Sequence, residues 1–395
     1  MKDGDESPNT VSEPGSARLH YLDWLRLLAT LMVFLFHAFH PFDFGDWQVK
    51  NVEQSEIITI MLELLGLWGM PFFFLVAGAG SWLALQRRSA NQYVRERFSR
   101  LAIPFVVGTI LFSPIEIYAE WANKVQRGVL NVSLRQSVIS TLPAPSLRSL
   151  ITPRWFGYGF HLWFLGFLFS FALITLPCFL WLKTKTGQRL ISWMARGCDH
   201  RGAILVFAAP TAIAQCLLRP LFPAEHDWAD FVVLMLFFAL GFLLFADERF
   251  ARIILRDGRL LFAMGTVIVL GLVGMYLTGV PVVTWGETPG TAQFYVIQFL
   301  INAIGVAYSL AMLFVGMRFL NFTNRWLHYG REAALPFFVL HQPVIIVIAF
   351  FVVQWDVSLW VKLPVVLLSS FVVSLALYEL LVRRFGPLQR AFGMK

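Results

Sequence analysis

A chain of 395 residues with 57% apolar and only 14% charged side chains is not a set of soluble domains, in which about a quarter of residues are charged. Its mean hydropathy of +0.66, with 39 Phe and 14 Trp, instead suits helices that face lipid and anchor at its interfaces. The net charge of +8 follows from where basic residues fall between the spans and does not point to nucleic acid.

Residues 1–16 are rich in Pro, Gly, Ser and acidic side chains and read as a disordered cytoplasmic tail. No basic stretch or small-residue cleavage site leads from them into the first span, so a signal peptide is not expected. Residues 17–395 read as one all-α, polytopic membrane domain of about ten transmembrane helices. The apolar blocks lie near 21–42, 57–85, 98–119, 158–182, 203–218, 231–246, 260–279, 292–315, 333–354 and 360–382, and each crossing needs roughly 20 residues. The fifth and sixth are the least distinct, being separated by a short polar link.

Loop charge sets the orientation. Alternate loops are basic, one holding Arg87, Arg88, Arg95, Arg97 and Arg100, and later ones Arg249 to Arg259 and Arg383 to Lys395. The intervening loops are acidic or nearly uncharged, with Asp43, Asp46, Glu53 and Glu56 in the first. The positive-inside rule then puts both termini in the cytoplasm. The third loop, with Lys124, Arg127, Arg135, Arg148 and Arg154, departs from the pattern; it is the longest outward loop, where the rule is weaker.

Ionisable groups inside spans cost about 2.5–3.5 kcal/mol at the centre on insertion scales, so each requires an account. The first span carries Asp23, Arg26, His37 and His40. Eleven residues at 100° each return close to a whole number of turns, so Arg26 and His37 share a face about 16 Å apart along the axis. Asp23, three residues before Arg26, is placed to pair with it. A plain reading makes this an interfacial ion pair and His37 a hydrogen bond between helices; a functional reading makes the face a site.

In the second span Glu63 precedes Met70-Pro71-Phe72-Phe73-Phe74. The cytoplasmic end of the third span has Arg97 and Arg100 before Pro104. Three apart, they are neighbours on a helical face and suit phosphate as bidentate donors; ordinary snorkelling also accounts for them. Glu116 and Glu120 share a face near the outer end, where either could orient a histidine. His161 opens the fourth span in His161-Leu-Trp-Phe-Leu165, and His341 precedes Gln342-Pro343 in the ninth. There the proline frees a backbone carbonyl. Structural and catalytic roles are both open for these two. Gln298 and Asn302 give the eighth span a polar stripe, and Glu379 is placed to pair with a cytoplasmic Arg. His20, His200, His226 and His328 fall at interfaces or in loops and are given no role. Cys178, Cys198 and Cys216 have no CxxC spacing, so neither a metal site nor a disulfide is expected.

Arg26-x10-His37, the Met70–Phe74 run, Arg97-x-x-Arg100 with Pro104, His161-Leu-Trp-Phe-Leu165 and His341-x-Pro343, in this order and at these depths, resemble the acyltransferase-3 superfamily of membrane acyltransferases. Within it the chain is most similar to the glucan biosynthesis protein C branch, which implies succinyl decoration of periplasmic glucans. Where many members have Ser-Gly this chain has Ala77-Gly78, so no hydroxyl is assigned there. The chain ends after its last span, so transfer onto a fused extracytoplasmic domain is not expected.

The resemblance implies an O-acyltransferase of the cell membrane, with acyl-CoA as donor substrate, no bound cofactor and an extracytoplasmic glycan or other hydroxyl as acceptor. It implies His37 and His161 as catalytic residues and Arg26, Arg97 and Arg100 as donor-binding, with Asp23, His40, Glu116 and His341 in support. His37, with an ordinary pKa near 6.5, would act as general base or through a transient acyl-imidazole, and His161 would bind the acceptor or polarise the thioester. The rivals are a transporter or flippase, since intramembrane His, Arg and Glu also build substrate paths, and a sensor without chemistry.

Overall fold

The computed structural model describes residues 19–141 and 152–394. The tail expected at 1–16 and Arg148 of the basic outward loop lie outside the described residues. Among the described residues all regular structure is helical, as hydrocarbon demands of a backbone that must satisfy its own N–H and C=O groups. In chain order the long helices are α1 His20–Phe42, α2 Glu56–Arg87, α3 Ala90–Gln126 and α4 Pro153–Ile174. After a shorter apolar helix, α5 Ala203–Leu218, come α6 Trp228–Phe245, α7 Glu248–Leu277, α8 Ala292–Phe319, α9 Arg325–Val352 and α10 Leu359–Val382. All but α5 are long and apolar enough to cross a membrane.

The expected fifth span is therefore a helix, but a short one. Its 5-residue 3-10 turn and 11-residue α-helix reach about 26 Å at 2.0 and 1.5 Å per residue. The tighter opening turn recovers part of the roughly 30 Å that hydrocarbon requires. The fourth span also differs from a single run of 158–182. α4 opens in 3-10 turns, breaks at Phe160 (φ 48°, ψ −126°) and ends at Ile174, and a separate helix, Leu176–Leu182, follows.

On the basic side, helices outrun their apolar stretches. α3, α7 and α9 begin well before the hydropathic limits near 98, 260 and 333. Hydropathy marks only the hydrocarbon, whereas helical hydrogen bonding continues into water when the first turn is capped. Ser89 and Gln92 form a reciprocal capping box, Asp247 accepts from the Arg249 N–H, and Asn324 accepts from the Leu327 N–H.

Helix order in the bundle follows from small residues. A Cβ on Gly78 would collide with the Phe238 carbonyl, and one on Gly241 with the Leu75 carbonyl, so the backbones of α2 and α6 touch directly. The glycine of the Ala77-Gly78 pair thus serves helix packing. α1 is central, against α2, α8, α9 and α10, with Leu25 seated over Gly316 of α8 and Leu27 over Gly330 of α9. α3 lies against α9 and the opening turns of α4. The halves of these helices away from the basic ends bring the site histidines together.

Candidate active site

His37 of α1 and His341 of α9 meet ring to ring, with His37 Nδ1 2.8 Å from His341 Nε2 and centroids 5.1 Å apart. His341 Nδ1 lies 2.6 Å from the Phe338 carbonyl oxygen. A carbonyl only accepts, so His341 carries its proton on Nδ1 and presents the Nε2 lone pair. His37 must then donate from Nδ1, which leaves its own Nε2 as the acceptor. His341 is fully buried, and Phe34, Phe337 and Phe338 surround its ring.

His161 completes the cluster, its ring centroid 5.0 Å from that of His341 and 6.2 Å from that of His37. Its Nε2 donates to the Val339 carbonyl oxygen at 3.3 Å. That carbonyl is available because residue 343, four further on, is proline and has no N–H to offer it. The proline of His341-x-Pro343 therefore acts on the site through His161. On the other edge of the ring, His161 Nδ1 faces Glu116 Oε1 at 3.6 Å, while Gln342 donates to Glu116 Oε2 at 2.9 Å. Glu116 is thus the carboxylate beside a histidine, and Glu120 pairs with Lys124 at 2.6 Å. Among the described residues no group of three or more His, Cys, Asp or Glu side chains is placed to hold a metal ion.

The acidic first loop folds back over this cluster. Lys50 reaches the Asp43 carboxylate and the His40 carbonyl, and its backbone pairs with the Asn123 side chain of α3 at 3.0 Å. Lys362 of α10 donates to Asn51 at 3.0 Å, and Glu53 accepts from the Leu359 N–H at 3.0 Å. Burial pushes the Asp43 carboxyl up, but His40, at 3.1 Å, and Lys50 outweigh it and hold the group below the usual range. Burial is the largest influence on Lys50 and lowers its ammonium despite Asp43. So anchored, the loop lays the Trp47 indole nearly parallel to His37 and His40, at centroid distances of 6.5 and 5.6 Å. His40 belongs to this loop network, one turn above His37.

A cavity of about 860 Å³ opens among the loops at the end of the bundle away from Arg97 and Arg100 and reaches His37, His161 and Gln342. His226, given no role from sequence, lines it, as do Trp47, Asn302 and Arg219. The three arginines singled out from sequence do not line it; they lie toward the basic ends of their helices. Arg26 donates to Asp23 at 3.3 Å, as the spacing predicts, and Arg331 approaches the other Asp23 oxygen at 3.5 Å. The Arg26 guanidinium occupies the space a Cβ on Gly80 would need. The next residue, Ser81, accepts from the Tyr93 hydroxyl at 2.9 Å, and Arg97 lies 4.8 Å over the Tyr93 ring. Arg26 and Arg97 therefore flank one Gly80–Ser81–Tyr93 contact.

Arg100 is held differently, 3.8 Å from Glu96, which also takes Arg88 at 2.9 Å. A π turn over Phe98–Ala102 widens the angle between Arg97 and Arg100 beyond that of α-helical spacing, and the two guanidiniums still act on one another through their charges. Sequence reasoning also gave no part to Trp47, Gln342 and Arg331. Only Gln342, beside His341 and Pro343, carried a local signal.

Residues 19–379 match the family model described as an acyltransferase domain. Proteins named glucans biosynthesis protein C from Salmonella paratyphi B and Salmonella dublin are each 21% identical over 384 residues. The one from Salmonella schwarzengrund is 20% identical over 381, and 94% of both chains is covered in every case. No solved structure matches the chain. The chain belongs to the acyltransferase-3 family and is a multi-pass membrane acyltransferase.

Proposed function

We propose that the chain is a cell-membrane O-acyltransferase that moves an acyl group from cytoplasmic acyl-CoA to a hydroxyl of an extracytoplasmic carbohydrate. The observation that carries this reading is the order Phe338 carbonyl, His341, His37, which leaves the His37 Nε2 lone pair as the base beside a cavity open among the outer loops. The acceptor hydroxyl attacks the thioester carbonyl while its proton passes to His37 Nε2. Collapse of the tetrahedral intermediate breaks the C–S bond, and the departing thiolate takes the proton back from His37. The products are an ester and free CoA. The Nδ1–H bond to His341 steadies the imidazolium formed between these steps.

Arg26, Arg97 and Arg100 take the donor phosphates, helped by Arg331 through Asp23. About 16 Å of helix rise separates Arg26 from His37, a span suited to the thin pantetheine arm. His161 places the acceptor, and Glu116 with Gln342 positions His161. Trp47 offers an apolar face to a sugar ring. The printed name of the relatives, glucans biosynthesis protein C, favours a carbohydrate acceptor.

The test is purified protein in proteoliposomes with labelled succinyl- or acetyl-CoA on one side and glucose oligosaccharides on the other. Label bound covalently to the oligosaccharide is expected. Passage of unmodified solute without acylation would support a transporter. A labelled acyl-protein trapped with donor alone would contradict the general-base assignment.

A further inference from the structure

Between α4 and α5 in the chain lies a helix that is not a span, Lys185–Gly197. Gly187, Ile191 and Ala195, four apart, form its buried face. Thr184 caps it by accepting from the Gly187 N–H at 3.3 Å, and a Cβ on Gly187 would collide with the Trp181 carbonyl, so it starts directly against the helix before it. The Ser192 hydroxyl donates to Asp247 at 3.1 Å, and Arg249 of α7 donates to the Ser192 carbonyl oxygen at 3.3 Å. Lys183 donates to the Leu85 carbonyl near the end of α2. These contacts fix the helix against the basic ends of α2 and α7.

Its other two faces are open and differ in character. Lys185, Arg189, Ser192 and Arg196 follow at steps of four, three and four, so they form one stripe. The three cations of that stripe, with Lys183 and Arg249, line a cleft of about 550 Å³ that has no carboxylate among its described lining residues. Lys183 and Arg249 are engaged with carbonyl oxygens. Lys185, Arg189 and Arg196 are exposed and have no ion pair among the described residues. About 100° round the helix, Leu190 and Trp193 form a second stripe, 38% and 65% exposed. The positive-inside tendency accounts for the sign of these charges, but not for their convergence on one cleft or for the tryptophan beside it.

We propose that this cleft binds an anionic glycerophospholipid of the cytoplasmic leaflet, with Lys185, Arg189 and Arg196 on the headgroup phosphate and Leu190 and Trp193 against an acyl chain. Guanidinium forks match phosphate oxygens in pairs. A helix with a basic face beside a Trp-bearing apolar one settles in the membrane surface at headgroup depth, where tryptophan is favoured. The bound lipid ties this helix to the bilayer and, through Lys183 and Ser192, steadies the ends of α2 and α7. Arg26, Arg97 and Arg100 do not line the cleft, so the lipid site is separate from the residues given to the donor.

The full chain in neutral detergent is titrated with dioleoylphosphatidylglycerol, and bound lipid is counted by native mass spectrometry, with dioleoylphosphatidylcholine titrated in parallel. The anionic lipid is expected to bind at least about tenfold more tightly than the zwitterionic one, since each basic residue near an anionic surface is about fivefold in binding. On the same scale Arg189→Gln/Arg196→Gln weakens it about thirtyfold. Arg318→Gln/Arg325→Gln removes as much exposed charge outside the cleft and leaves binding within about twofold, the scatter of such a comparison. Trp193→Ser alters no charge and also weakens the lipid. Equal binding of the two lipids, equal loss in both double variants, or unchanged binding by the folded Arg189→Gln/Arg196→Gln or Trp193→Ser protein overturns the proposal. Displacement of the lipid by an equal concentration of glycerol 3-phosphate overturns it in favour of a free-phosphate site, and displacement by acyl-CoA in favour of a donor contact.

Discussion

Replacing His341 by Phe removes one interaction from the site and little else. The ring volume is kept among Phe34, Phe337 and Phe338, and His341 does not line the cavity. What disappears is the acceptor 2.8 Å from His37 Nδ1. His37 then has no partner to fix which nitrogen carries its proton, and its imidazolium loses a charge-assisted hydrogen bond. Such bonds contribute about 1.5–3 kcal/mol, and each 1.36 kcal/mol is tenfold in rate, so kcat should fall about 10- to 150-fold. Because His341 touches neither substrate, KM for both should stay within about threefold, a split that general loss of folding would not give. Transfer from labelled donor in proteoliposomes, normalised to folded protein by size exclusion, measures both constants. A folded His341→Phe protein that kept kcat within threefold would refute the tautomer argument.

The arginines and the loop make separate predictions. Arg26→Gln and Arg97→Gln should weaken acyl-CoA binding about tenfold or more, the value of a lost charged hydrogen bond, while acceptor binding is unaffected; binding of non-hydrolysable acyl-CoA checks this, and unaltered donor affinity would remove these residues from the donor site. Asp43 has its folded pKa held below the ordinary value, so its contribution is present above about pH 4 and lost as pH falls through the lower folded value. Lys50, with its pKa lowered, is protonated in both states across that acid window and adds no slope there. Loop 43–55 should therefore become protease-sensitive on acidification in the wild type, and resistance undiminished below pH 3 would contradict the network described.

The parts of this fold that were legible in sequence are those set by local period. Apolar run length marked the crossings, and 3.6-residue geometry put Asp23, Arg26 and His37 on one side of α1. Helix extensions beyond the membrane were hidden because hydropathy does not register caps such as Ser89 and Asp247. The π turn at Phe98–Ala102 was hidden because periodicity assumes an α-helix. The convergence of α1, α4 and α9 was out of reach, since residues 304 positions apart share no local pattern. Pro343 lay between these cases: the freed carbonyl followed from sequence, but its use by His161 required the neighbouring helix. Trp47 and His226 owe their places to loop anchoring, which no periodicity encodes.

The most direct measurement is acyl transfer by His37→Gln protein, which retains a polar side chain but no base at that point. With wild-type-like expression, folding and donor binding, the account predicts that labelled product falls by at least about a hundredfold, the order general-base catalysis contributes. Full transfer by that protein would contradict the assignment of His37 and the mechanism built on it.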